Sequence, residues 1–264
     1  MKLNYLELLA STPIYIPNVG GIISPTLQSI VDIGSSTYEY YINILLMDTE
    51  QIFKMLGKED FYNVIPNEEK AKINVFDIMT ANPQTALALQ NTLQFFFEED
   101  VVFSEATKTF EVKSNIVIKN KETGETSEKY ETIGIINKDN YSKVLSVICQ
   151  RNNIGDNAVN DMSKAKGKKA LAILEKLKKG REDAAKKNKT DKNMELGNII
   201  SAVANKHPSL NISNIWSLTV YQLWDCFARL TKNNIIDANM RSVSVWGTKD
   251  KNFDFNEWFK KLDN

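Results

Sequence analysis

The chain has 264 residues, 42% of them apolar and 25% charged, and its 33 basic side chains balance 33 acidic ones. That length buries a real core in one large domain or two small ones, and the composition excludes a largely disordered chain. Zero net charge excludes a whole-molecule field that would draw it onto nucleic acid or an acidic membrane, and no run approaches the roughly eighteen apolar residues of a membrane span.

The opening MKLNYLELLASTP carries too short an apolar run for a signal peptide. In PIYIPNVGGIISP the prolines and the Gly20-Gly21 pair predict extended pieces around a turn. Such an arm could present Tyr15 and Ile16 to the sheet edge of a neighbour. After Pro25, Leu27, Ile30, Val31 and Ile33 recur at helical spacing, as do Tyr38, Tyr41, Ile42 and Leu45. Gly34 separates a short helix from a second one. Residues 60–97 read as helical again, with Asn82 as a cap, Pro83 at the first helical position, and Leu87, Leu89, Leu93, Phe96 and Phe97 predicting a buried helix.

Between Val101 and Ile136 the period changes to two. Phe110, Val112, Ile116 and Ile118 share one face and Glu111, Lys113 and Asn115 the other, which predicts a hairpin near 108–136 turned at KETGE, with VVF as a third strand. An isolated hairpin is marginal in water, so the sheet must pack on the flanking helices. Asn137 or Asp139 caps a following helix carrying Tyr141, Val144, Leu145 and Ile148.

Residues 156–195 are compositionally distinct: from Lys164 to Glu195, twelve basic residues face five acids, a local excess of +7 that the rest of the chain offsets. Ala170, Leu171, Ile173, Leu174 and Leu177 predict a short basic helix, and REDAAKKNKTDKN after Gly180 has little to bury and reads as a flexible connector. In 196–264, NIISAVANK and IWSLTVYQLWDCFARL predict two helices separated by HPSLN, Pro208 ending the first and Asn211 or Ser213 capping the second. The second is apolar on most sides and needs more than one neighbour: NIISAVA on one side and the tail from VSVW to WFKKL on another. The expected fold is α+β, predominantly α-helical with a small antiparallel β-hairpin or three-stranded sheet in the middle. It divides into an N-terminal section (1–155), the basic connector (156–195) and a C-terminal helical module (196–264).

Catalytic constellations are weak. His207 is the only histidine and sits in a helix-ending turn, where a cap suits it better than Ser-His-Asp or Cys-His chemistry. Cys149 and Cys226 lie in apolar contexts, reading as reduced core residues of a protein made in a cytoplasm, and with one histidine they form no closed zinc site. NVGGIISP lacks the Lys-Ser/Thr and third glycine of a phosphate loop. Glu98, Glu99 and Asp100 read as a solvated turn. No enzyme activity, catalytic residue, metal or cofactor is expected. The segment 164–192 raises nucleic-acid binding or packaging as an alternative function. It offers a single arginine and no aromatic partner for stacking, which leaves only salt-sensitive attraction. Partner contacts remain: Trp246, Phe253, Phe255, Trp258 and Phe259 alternate with charges at the chain's end, where they dock back or insert into a neighbour.

One resemblance supports that last reading. Trp216, Leu218, Thr219, Val220, Gln222, Leu223, Asp225, Phe227, Arg229 and Leu230, then Trp246-Gly247, then Asp254, Phe255, Trp258 and Phe259, follow a pattern that resembles the C-terminal region of tail-module proteins of bacteriophages infecting low-GC Gram-positive bacteria. PTLQSIVDIG in the opening resembles the N-termini of the same group. The resemblance implies a non-enzymatic tail or baseplate protein, structural subunit or assembly chaperone, whose partners are other tail proteins or further copies of itself. Its place would be the host cytoplasm during assembly, with incorporation into the virion tail as the further step. Within the motif, Trp216, Tyr221, Trp224, Phe227 and Arg229 are expected to be mostly core, and the terminal aromatics together with Tyr15 and Ile16 to form the interaction surface.

Overall fold

The computed structural model describes residues 1–70, 72–119, 126–154, 194–247, 254 and 256–262. The KETGE turn, the basic segment up to residue 193, Phe253 and Phe255 lie outside the described residues. The fold is α+β and mostly helical, with a two-stranded hairpin and a three-stranded antiparallel sheet.

Eight short helices and a hairpin fill the first hundred residues. α1 (Tyr5–Leu9) starts in a capping box between Asn4 and Glu7. β1 (Ile14–Ile16) and β2 (Gly20–Ile22) pair through a turn in which Asn18 has φ 60°. α2 (Leu27–Ile33) and α3 (Ser35–Leu46) are separated at Gly34, whose φ of 86° suits a residue without Cβ. α4 (Thr49–Met55) begins in a second capping box, Asp48 with Gln51. α5 (Glu59–Val64), α6 (Asn67–Lys70) and α7 (Val75–Ala81) lead to α8 (Pro83–Phe96), where the Asn82 side chain accepts from Gln84 N and Pro83 opens the helix.

β3 (Asp100–Ser104), β4 (Thr109–Lys119) and β5 (Thr126–Ile136) form an antiparallel sheet in that order, with a bulge at Val112/Lys113. β3 is an edge strand, but two of its N–H groups are occupied. Val101 N donates to Gln94 Oε1 and Phe103 N to Gln90 Oε1, both from α8, so this edge does not invite pairing. At the other edge Ile135 N donates to the carbonyl of Asn18. Gly134 permits that approach, since a Cβ there would stand 2.3 Å from the Val19 carbonyl oxygen. α9 (Tyr141–Arg151) follows, flanked by Asn140 rather than Asn137 or Asp139; the Asn137 side chain instead accepts from Asp139 N in the preceding turn.

The N-terminal arm belongs to this body. β2 is buried throughout, and Ile16 is buried with it, so Ile16 is withdrawn from the surface where the sequence reading placed it. Glu98 N donates to Gly21 O and Ile23 N to Phe96 O, which ties the arm to its own chain instead of a neighbour's sheet. Two of the three acids expected as a solvated turn hold it down, and the third bonds to β5. Glu98 accepts from the Tyr15 hydroxyl, Glu99 Oε2 from Gly21 N at 2.9 Å, and Asp100 Oδ2 from the Tyr130 hydroxyl at 2.8 Å.

Two apolar cores result. The larger joins the arm, α3, α4, α7, α8, the sheet and α9 around Ile22, Leu89, Phe96, Phe110 and Ile148. The smaller collects Leu27 and Ile30 of α2 with Ile199, Ile200 and Val203 of α10 (Leu196–Lys206), Ile215, and Val220 and Leu223 of α11 (Val220–Trp246). Tyr38 and Phe95 pack against both.

Candidate interaction surface

The stretch expected as one helix from Ile215 is divided. Ile215–Ser217 forms a 3₁₀ turn, the chain extends at Leu218, and α11 starts afresh at a capping box in which the Thr219 hydroxyl accepts from Gln222 N and the Gln222 side chain accepts from Thr219 N. Thr219-Val-Tyr-Gln222 is the sequence form of that box, and it outranks Asn211 and Ser213, which stabilise the preceding turn instead. His207 serves the same turn, its Nδ1 accepting from Leu210 N at 3.1 Å. α11 then runs 27 residues to Gly247, so VSVW is the end of this helix and cannot fold back on it.

The polar residues of the motif have identifiable work, most of it tying distant parts of the chain together. Leu27 N donates to Leu218 O, and Gln222 Nε2 to Leu9 O at 2.7 Å. The Tyr5 hydroxyl donates to Asp225 Oδ1 at 2.7 Å, and Arg229 reaches both Tyr5 and, at 2.8 Å, the carbonyl of Lys260. Lys232 pairs with Glu257, and Lys260 with Asp254 and Glu257, which lowers both carboxyl pKa values and raises that of Lys260. These contacts seat the 3₁₀ turn Glu257–Phe259 on α11. The fold thereby pins its N-terminal segment and its C-terminal turn to one helix.

The aromatics divide by depth. Tyr221 is buried; Trp216, Trp224 and Phe227 are half-buried, Trp224 and Phe227 in an edge-to-face pair at 6.0 Å. Trp216 donates its indole N–H to Ile212 O. Trp246 is 84% exposed, and Trp258 and Phe259, stacked edge to face, are 57% and 56% exposed. Tyr15 is exposed but lies on the arm, away from these residues in the chain and bonded to Glu98.

Two concavities flank α11. A groove of about 440 Å³ is lined chiefly by Tyr221, Trp224, Phe227, Ala228, Thr231 and Ile235, with Leu262 at its rim. A smaller one of about 290 Å³ lies between Asn233, Ile236, Met240 and Trp258. The sequence reading missed Ala228, Thr231 and Ile235, although their 3–4-residue spacing marks one helical face. Among the described residues no three His, Cys, Asp or Glu side chains converge to hold a metal, and no helix is long and apolar enough to cross a membrane.

No curated protein and no solved structure matches this chain. Residues 186–263, less than a third of the chain, match the family described as the YomV second domain, a phage-derived domain family, and that match contains α10, α11 and the C-terminal turn.

Proposed function

We propose that the protein is a non-enzymatic component of a bacteriophage tail or baseplate, structural subunit or assembly chaperone, that works through protein–protein contacts. The observation that carries this reading is the far half of α11. From Asn233 to Trp246 only Ile236 is buried, while Ile235, Met240, Val245 and Trp246 stand in solvent, and Trp258 lies by Met240. Exposed tryptophan and aliphatic groups along one helix that also carries a groove have the composition of a recognition surface. The match of this same region to a phage-derived family supports the phage context, and the tail assignment rests on the motif resemblance. Disrupting the gene in its phage and imaging the particles tests it. Loss of complete tails, restored by the intact gene and not by a chain ending at residue 232, is the expected result. Fully tailed, infectious particles without the protein would overturn it.

A further inference from the structure

We propose that α11 pairs antiparallel with α11 of a second copy, each Trp246 entering the groove of the other. This deepens the contact-protein reading by naming a partner for the same surface.

The helix geometry puts knob and hole in register. Eighteen residues are five turns, so Ala228, on the groove floor, and Trp246 lie on one line of α11, about 27 Å apart. Ile235 falls about 20° from that line. Thr231 and Ala228 are small, and the lining beside them is mainly apolar, Trp224, Phe227, Ile235 and Leu262, with Asp225 and Lys232 also among its residues. An indole fits within a groove of about 440 Å³. Because knob and hole share a face, a two-fold axis near residue 238 seats both tryptophans at once, the self-complementary arrangement a closed dimer needs. A parallel pairing would set Trp246 against Trp246 and leave both grooves empty.

Two charged residues line the groove, Asp225 and Lys232, and each already has a partner, Tyr5 and Glu257. Between Ile235 and Trp246 the shared face carries only Asn239 and Ser242, and the sole charges of residues 233–247, Asp237 and Arg241, lie on the far side. The residues involved are the ones left in water: Trp246 at 84% and Ile235 at 58% exposure. Burying two tryptophans and the walls they cover removes about 800 Å², and the contacts between them bring the total to about 1,000–1,200 Å². That is the low end of interface sizes, where weak, transient association is common.

Sedimentation equilibrium of the full chain across the micromolar range tests the pairing. The wild type should pass from monomer to dimer, and Trp246→Ala, which removes the knob, and Thr231→Arg, which blocks the hole, should each weaken dimerisation about 30-fold or more. Both positions are exposed, so circular dichroism should be unchanged. Mixing the two variants restores one knob in one hole, and a heterodimer should form where neither variant self-associates. A monomer at all concentrations overturns the proposal but leaves tail docking intact. A dimer indifferent to both substitutions also overturns it, by placing the interface elsewhere.

Discussion

Arg151 is fully buried, and its guanidinium faces neutral oxygens: the Ser24 hydroxyl, the Glu7 carbonyl at 2.6 Å and the Thr12 carbonyl at 3.0 Å. Burial lowers its pKa, yet the charge remains and orders three separate backbone segments. Replacing it with Met removes the charge and leaves two carbonyls and a hydroxyl without donors, a loss of about 3–5 kcal/mol, read as a shift in the urea midpoint. Arg151→Lys should recover only part of it, because an ammonium cannot span three separated acceptors. Burial acts in the other direction on Tyr38 and Tyr141, pushing both hydroxyls above the usual phenol range. Their contribution is complete below the ordinary tyrosine pKa of about 10 and falls as pH rises past it, since the unfolded chain ionises first. Stability measured from pH 9 upward should therefore decline, and Tyr38→Phe should decline less steeply while losing the hydrogen bond to Asn152.

Among the elements, those set by local rules were legible in the amino-acid order. Asn82-Pro83 opens α8, Gly34 divides α2 from α3, and the period of two in 101–136 becomes the three-stranded sheet. The start of α11 was legible too, as Thr219-x-x-Gln222, but the aromatic density upstream drew the boundary five residues early. What periodicity could not show is which neighbours cover an apolar helix. Trp224 sits one residue from Leu223; the first is half-exposed over the groove and the second fully buried against α10 and α2. Leu223→Ala should thus cost about 2–5 kcal/mol and Trp224→Ala less than the 3–5 kcal/mol of a buried tryptophan. Denaturant titration of the two variants checks the order. Nor could spacing reveal that Glu98, Glu99 and Asp100 each take one donor, because Tyr15, Gly21 and Tyr130 lie remote in sequence. The C-terminal turn is electrostatic in a way that can be titrated. Hydrogen bonds from Lys260 hold the carboxyls of Asp254 and Glu257 below their ordinary range, so the turn stays seated at neutral pH and releases as pH falls through those depressed values. Trp258 fluorescence should report that release, and Lys260→Met should lose the transition.

At the scale of the whole molecule, the basic segment between α9 and α10 separates two stretches of sequence but not two cores. Leu27 and Ile30 of α2 complete the smaller core, Leu27 N bonds to Leu218 O, and Thr26 and Thr219 form a β-bridge. Tyr38 and Phe95, in edge-to-face contact at 6.3 Å, belong to both cores, and the Tyr5–Asp225 and Gln222–Leu9 bonds add polar ties from the other side. Unfolding the C-terminal helices would strip cover from α2 and the α3–α8 contact, so the two cores should melt together. The chain supplies its own probe: all four tryptophans, Trp216, Trp224, Trp246 and Trp258, lie beyond residue 200, whereas the three-stranded sheet and eight of the helices precede residue 140. Trp216 and Trp224 pack against the smaller core, so the change in tryptophan emission reports its opening, and far-ultraviolet circular dichroism follows the whole. In urea the two signals should trace one transition with a common midpoint, and Phe95→Ala should shift both by the same amount. Emission changing at lower urea than ellipticity would show that the C-terminal helices open alone, and the coupling through Tyr38 and Phe95 would then be too weak to unite the molecule.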